Sequence, residues 1–262
     1  GLTAVLSTTG GLYTFGWNHH GQCGVGKMSN NIWVPEPVMG LSSQFADEGR
    51  ALLKQEYPIE TVALGLQHGV ALDSEGNVFV WGKGERGQLG IQEQTTLEYA
   101  SRVIKWRLPS QDGRQHWASD LVVTKVAAGL NHATALTNEN LVFVWGKNVA
   151  EPKAQEDIGK PAVDALAPIL IRGLPANKTV LDIACGSHHI AILLEDGSVW
   201  AVGIATDTSK PIFEAVELIP QGMVDMPCSF FGAHFDRTTV IGNDGSQVLQ
   251  VNLWSDEELR EQ

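Results

Sequence analysis

The residue types in this chain that could do chemistry are histidine, cysteine and one glycine-rich turn. Gly82-Lys83-Gly84-Glu85-Arg86-Gly87 has the spacing of a dinucleotide-phosphate loop. Such a loop works only when a helix follows, because the helix N-terminus holds the pyrophosphate. Here Gln88-Leu89-Gly90-Ile91 follows, which reads as a further turn. His19-His20 and His188-His189 suggest a metal. Adjacent side chains on a strand point to opposite faces, however, and no carboxylate or cysteine lies at ligand spacing. Cys185 stands before Gly186 with no base or charge to favour its thiolate, so it reads as a small buried apolar residue. Asn177-Lys178-Thr179 matches a glycosylation sequon and is read as a chance match, since nothing marks secretion. No nucleophile, base and orienting group occur together. No catalytic residue, cofactor or metal is therefore expected, and the chain is read as a non-enzyme.

The remaining histidines recur, and that changes their reading. Val62–Ile91 runs VALGLQHGVALDSEGNVFVWGKGERGQLGI, Val126–Asn148 runs VAAGLNHATALTNENLVFVWGKN, and Ile183–Gly203 runs IACGSHHIAILLEDGSVWAVG. Each has a leading glycine (Gly65, Gly129, Gly186) and a histidine three residues on (His68, His132, His189). An apolar strand, a polar turn and a second apolar strand follow, ending on Gly82, Gly146 or Gly203. A catalytic site needs different residues converging on one point, whereas one residue type per repeat points to a tie between neighbouring units. Trp81 and Trp145 hold equivalent strand positions and read as core aromatics. Two partial copies, near 4–16 and 231–252, join the hairpins near 62–82, 126–146 and 183–203. The first copy lacks the leading strand, and in the last Phe235 replaces the histidine.

The elements that must position these residues follow from the pattern. Apolar runs flank turn clusters such as Ser74-Glu75-Gly76-Asn77, which predicts β-hairpins. Strands are expected at Val62–Leu64, Val70–Leu72, Val78–Trp81, Val126–Ala128, Thr134–Leu136 and Leu141–Trp145. The closing positions Gly16, Gly82, Gly146, Gly203 and Asn252 fall at intervals that fit a four-stranded blade plus variable loops. The fold class expected is an all-β propeller of four to five visible blades over 1–254. Helical or irregular insertions and a short helix or tail at 255–262 are expected besides.

The ordered string Gly-x-x-His, hairpin, Phe-Val-Trp-Gly, Gly-Gln-Leu-Gly resembles the regulator of chromosome condensation repeat family. The resemblance implies a propeller, seven-bladed in the family, of which five hairpins are seen here. It also implies a role as adaptor or assembly subunit and, as the alternative, guanine-nucleotide exchange on a small GTPase. A plant relative that perceives ultraviolet light implies tryptophan and arginine where this chain has Gly65-Leu66-Gln67-His68 and Gly129-Leu130-Asn131-His132, so that reading is not carried over.

Composition narrows the partners. The chain has 262 residues, 43% hydrophobic and 18% charged, which suits a folded domain with a sizeable core. Its net charge is −12, which opposes a general nucleic-acid binder. No apolar run reaches the ~18 residues of a membrane span. A protein partner within a larger complex is the expectation. The compartment is unassigned. An intracellular place is expected, with an organelle allowed by the missing initiator Met.

Three stretches stand outside the repeat: 46–57, of helical composition; 92–125; and 151–175, rich in Pro and Ala and read as irregular. The second carries Lys105, Trp106, Arg107, Arg114 and Trp117, a local reversal of sign with two tryptophans in an acidic chain. Tryptophan and arginine dominate interface hot spots, so these five residues are the expected partner-binding set. The competing expectation is that each tryptophan pins its own loop to the scaffold.

Overall fold

The computed structural model describes residues 1–41, 57–108, 116–119, 121–150, 163–204, 211–223, 226, 228, 230–234, 237–242 and 248–252. Every regular element among them is a strand, and the strands form five antiparallel blades. Blade 1 is β1 (Leu2–Leu6), β2 (Leu12–Trp17) and β3 (Asn31–Pro37). Blade 2 is β4 (Ile59–Leu64), β5 (His68–Asp73), β6 (Val78–Gly82) and β7 (Leu97–Arg102). Two short strands follow, β8 (Trp106–Leu108) and β9 (His116–Ala118). Blade 3 is β10 (Val123–Ala128), β11 (His132–Thr137), β12 (Val142–Ala150) and β13 (Val163–Leu170). Blade 4 is β14 (Val180–Cys185), β15 (His189–Leu194), β16 (Val199–Ile204) and β17 (Pro211–Ile219). Blade 5 is β18 (Phe230–His234), β19 (Arg237–Ile241) and β20 (Val248–Asn252).

Successive blades pack through their leading strands. β4 lies on β1, β10 on β4 and β5, β14 on β10 and β11, and β18 on β14 and β15. The doubly buried strands are the ones the sequence shows as unbroken apolar runs. β5, β6, β11 and β15 are buried at every residue, because each blade has another on both faces. In blade 2 the alternation is clean. Phe79 and Trp81 join the core shared with blade 1, while Val78 and Val80 join the core shared with blades 3 and 4.

Each predicted strand is present, extended by up to a few residues. Two expectations about the insertions are corrected. Residues 97–102 are not part of an insertion; they form β7, the outer strand of blade 2, paired with β6 through Phe79↔Arg102 and Val80↔Ser101. Residues 163–170 are not irregular but form β13, paired with β12 through Phe143↔Leu170 and Val144↔Ile169. The helix expected at 46–57 falls on residues outside the described set save Tyr57, and the helix or tail expected at 255–262 lies wholly outside it.

The repeat residues build two latches between blades. In the first, the indole nitrogen of Trp81 donates to the Gln22 carbonyl at 2.8 Å, and that of Trp145 to the Gln88 carbonyl at 3.0 Å. Both acceptors belong to the loop of the preceding blade that joins its inner strands to its outer strand, β2 to β3 and β6 to β7. Gly24 and Gly90 lie against the same two indoles, where an added Cβ would come 2.8 Å from Cδ1. In the second latch, the His132 Nε2 sits 3.2 Å from the His189 carbonyl, and the His189 Nε2 sits 3.4 Å from the Thr238 hydroxyl. His68 takes the equivalent place, fully buried beside the backbone of His132, but neither of its ring nitrogens makes a hydrogen bond among the described residues. The leading glycine of Gly-x-x-His is a spacing requirement. A Cβ at Gly65 would overlap the His68 ring and lie 2.7 Å from the Gly129 carbonyl, and a Cβ at Gly129 would overlap the His132 ring. Gly129→Ala is therefore expected to lower stability by about 1–3 kcal/mol, the usual cost of overpacking a core. Urea denaturation checks it, and an unchanged midpoint would show that the histidine is not held there.

Candidate partner-docking surface

The insertion that remains, 103–122, begins as β7 ends. Val103 is buried, and its N–H bonds the Val78 carbonyl at 2.8 Å, which carries the blade 2 ladder one step further. The chain then crosses to the outer edge of blade 3. There β8 and β9 form a hairpin with Trp106↔Ala118, Arg107↔Trp117 and Leu108↔His116 opposed. β8 pairs in parallel with β13 through Ile169↔Arg107, so blade 3 grows into a six-stranded sheet.

Strand alternation divides the expected binding residues. Trp106 turns inward and is buried, edge-on to Phe143 at 5.2 Å and to Trp145 at 6.0 Å between centroids. It is a pin between the insertion and blade 3, and the expectation that it meets a partner directly is corrected on that ground. Arg107 and Trp117 are directly opposed on the other face of the hairpin, and Trp117 is 40% exposed. Lys105 is exposed. Arg114 lies outside the described residues. Truncating Trp106 to alanine should cost about 3–5 kcal/mol, and Trp117→Ala should stay within about 0.5 kcal/mol, as a surface change does. Thermal or urea unfolding of the two variants decides it; equal losses would mean that both rings are core.

Beside the hairpin, at the rim between blades 2 and 3, lies a cleft of about 410 Å³. One wall is Gly90–Glu93 and the other runs along β7 to Lys105. Ile91, Leu97 and Ile104 supply apolar surface, and Ile104 is 42% exposed. Arg102 and Lys105 supply charge, with Glu93 opposing them. The cleft was not legible in the sequence because its walls, though near in the chain, face each other only once β7 folds back beside the turn.

The first wall is held from behind by blade 3. The Arg86 guanidinium makes two hydrogen bonds to Asp164, at 2.5 and 3.1 Å. Gln92, in the left-handed region at φ 69°, donates its N–H to the Leu166 carbonyl at 2.7 Å. Of the described cations without a carboxylate partner, three lie at this rim, while Lys147 and Arg237 lie elsewhere. Lys27, Lys83, Arg86, Lys125, Arg172 and Lys178 each have a carboxylate within ion-pair distance. Arg102, Lys105 and Arg107 have none.

The other residues weighed for chemistry have structural surroundings. The Gly82–Gly87 segment leads from β6 into turns with no helix after it. Burial pushes the Cys185 thiol well above its ordinary range, so it stays protonated at neutral pH.

Two profiles of the "Regulator of chromosome condensation (RCC1) repeat" match the chain, one at residues 9–72 and 75–136, the other at 59–88, 123–150 and 180–206. Among curated relatives, the human "Probable E3 ubiquitin-protein ligase HERC6" is 30% identical over 194 residues, 74% of this chain and 16% of that protein. The "Ultraviolet-B receptor UVR8" of Arabidopsis thaliana is 31% identical over 186 residues, 71% of this chain and 34% of that protein. The "Guanine nucleotide exchange factor SRM1" of Saccharomyces cerevisiae is 34% identical over 149 residues, 56% of this chain and 28% of that protein. The chain thus spans about a third or less of the length of these relatives. Among solved structures, human WBSCR16 superimposes with a TM-score of 0.67 at 20% identity, over 92% of this chain and 56% of that one. Prp20p of Saccharomyces cerevisiae superimposes with a TM-score of 0.64 at 22% identity, over 96% of this chain and 56% of that one. At those identities the superpositions speak for the propeller fold alone. Repeat profile, interblade latches and blade architecture agree, and the chain belongs to the regulator of chromosome condensation (RCC1) repeat family.

Proposed function

We propose that this protein is a non-enzymatic interaction scaffold, a subunit that holds a protein partner at the rim between blades 2 and 3. The observation that carries the reading is the cluster of Arg102, Lys105 and Arg107 without carboxylate partners, set beside a cleft of mixed polar and apolar lining on a chain of net charge −12. Propellers present loops on a rigid disc, which suits docking. Cations of this kind attract and orient an acidic partner. The test is gentle purification of the native complex from cells carrying the wild-type protein or a Lys105→Ala, Arg107→Ala variant. The partner should be lost from the variant while its melting temperature is unchanged. Retention of the partner in full would remove the docking role from this rim.

Guanine-nucleotide exchange is the second reading, favoured by the 34% identity to SRM1. The inserted hairpin is the element it would use, yet β8 lies along the edge of blade 3, tied to β13. A nucleotide-release assay against a panel of small GTPases separates the two readings. Acceleration that depends on residues 104–118 would replace the scaffold reading.

A further inference from the structure

Resting on that docking reading, we infer that the rim cleft receives an extended acidic segment of the partner carrying bulky aliphatic side chains. The shape argues for a segment. A cleft of about 410 Å³ is the size of a small-ligand pocket. It takes a few side chains, whereas a globular face needs a broad, flatter patch. The apolar surface of Ile91, Leu97 and Ile104 asks for aliphatic groups, and burying them there removes water from both partners.

The charge argues for acid. Arg102 and Lys105 flank the cleft, and Arg107 stands next along the chain on β8. None has a carboxylate partner, whereas six of the other eight described cations do, Lys147 and Arg237 being the exceptions. Glu93, on the opposite wall, sets the direction: carboxylates of the segment belong on the Arg102 and Lys105 side, and its aliphatic groups towards Ile91. Nucleic acid fits the site less well. The whole-chain charge repels a phosphate backbone, and among the described residues no aromatic ring lines the cleft for a base to stack on.

The walls are held before anything binds. The Arg86–Asp164 pair and the Gln92 to Leu166 hydrogen bond fix one to blade 3, and the β6–β7 ladder fixes the other. Little ordering entropy is therefore lost from the protein on binding.

The experiment uses the full chain and short fluorescent peptides in which Glu and Leu alternate, read by anisotropy. Control peptides replace Leu by Ser or Glu by Lys, and a single-stranded oligonucleotide is a further probe. The expected result is saturable binding of the Glu/Leu peptides. It should weaken at least tenfold between about 50 and about 500 mM NaCl, since exposed charges are screened over that range. Lys105→Glu should weaken it at least tenfold, and so should the Ser control. Because Lys105 is exposed, that variant keeps the fold, and an unchanged melting curve confirms it. Lys-bearing peptides or the oligonucleotide binding as tightly would overturn the inference. No peptide binding, with the native partner still released by Lys105→Ala, Arg107→Ala, would overturn the acidic-segment chemistry and leave the docking surface standing. No peptide binding with the native partner retained would overturn both.

Discussion

Trp81→Ala and Trp145→Ala should each lose about 3–5 kcal/mol of stability, the cost of removing a large buried aromatic side chain. Both indoles have no exposure. Each also carries a hydrogen bond to the preceding blade, to Gln22 and Gln88, so truncation leaves a carbonyl without its donor as well as a cavity. Trp145 has the further contact with Trp106, so its loss also loosens the inserted hairpin. Trp145→Ala should therefore be the worse of the two. The conservative Trp81→Phe should cost less than Trp81→Ala, since it keeps most of the ring volume and drops the indole donor. The first blade already has Phe15 at the corresponding position, one residue before Gly16. Urea unfolding measures all three, and a loss below about 1 kcal/mol for either alanine variant would show that the interblade latch is not a stability element.

Acid should open the propeller earlier than its carboxylates alone would. Burial holds His68 down to about 3 and His132 to about 4, both below the ordinary histidine value of 6.5. His132 lies beside His68 and pushes it further in the same direction, as His188 does to His132. The folded form therefore excludes protons that the unfolded chain binds. The stability linked to these groups is complete above pH ~6.5 and falls as pH drops toward the folded values. Each histidine contributes about 1.4 kcal/mol per pH unit in that window. Between pH ~6.5 and ~5 the pair should remove about 3 kcal/mol, before most carboxylates begin to titrate. That is a large part of a domain's usual 5–15 kcal/mol. Unfolding midpoints measured at several pH values across this window check it. A flat profile would mean that the rings are not buried neutral between the blades.

The fold was legible where the chain is constrained on both sides. β5, β6, β11 and β12 lie between neighbouring blades, so their residue types are dictated and recur from copy to copy. The outer strands do not recur. Asn31–Pro37, Leu97–Arg102, Val163–Leu170 and Pro211–Ile219 share no pattern, because an outer strand lies at the rim of its blade with fewer neighbours that recur from copy to copy. That is why β13 reads as an irregular Ala- and Pro-containing stretch and β7 as part of an insertion. The Gly-x-x-His motif was legible as a tie between blades. The reason for its glycine, a histidine ring packed where a Cβ would stand, needed the coordinates.

The candidate surface was half legible. The reversal of charge at Lys105 and Arg107 is plain in an acidic chain. Whether Trp106 points out or in depends on its being on a strand, and only the pairing of β8 with β13 places it under blade 3's edge. Once it is there, alternation sends Trp106 to the core and leaves Arg107 and Trp117 to the outer face.

The central claim is that a partner docks on the rim between blades 2 and 3. Amide hydrogen exchange of the native complex against the free protein tests it most directly. The prediction is slowed exchange at residues 90–93, 101–107 and 116–118, with the hairpin turns at 74–77 and 195–198 unchanged. Slowed exchange confined to those turns, with the rim untouched, would contradict it.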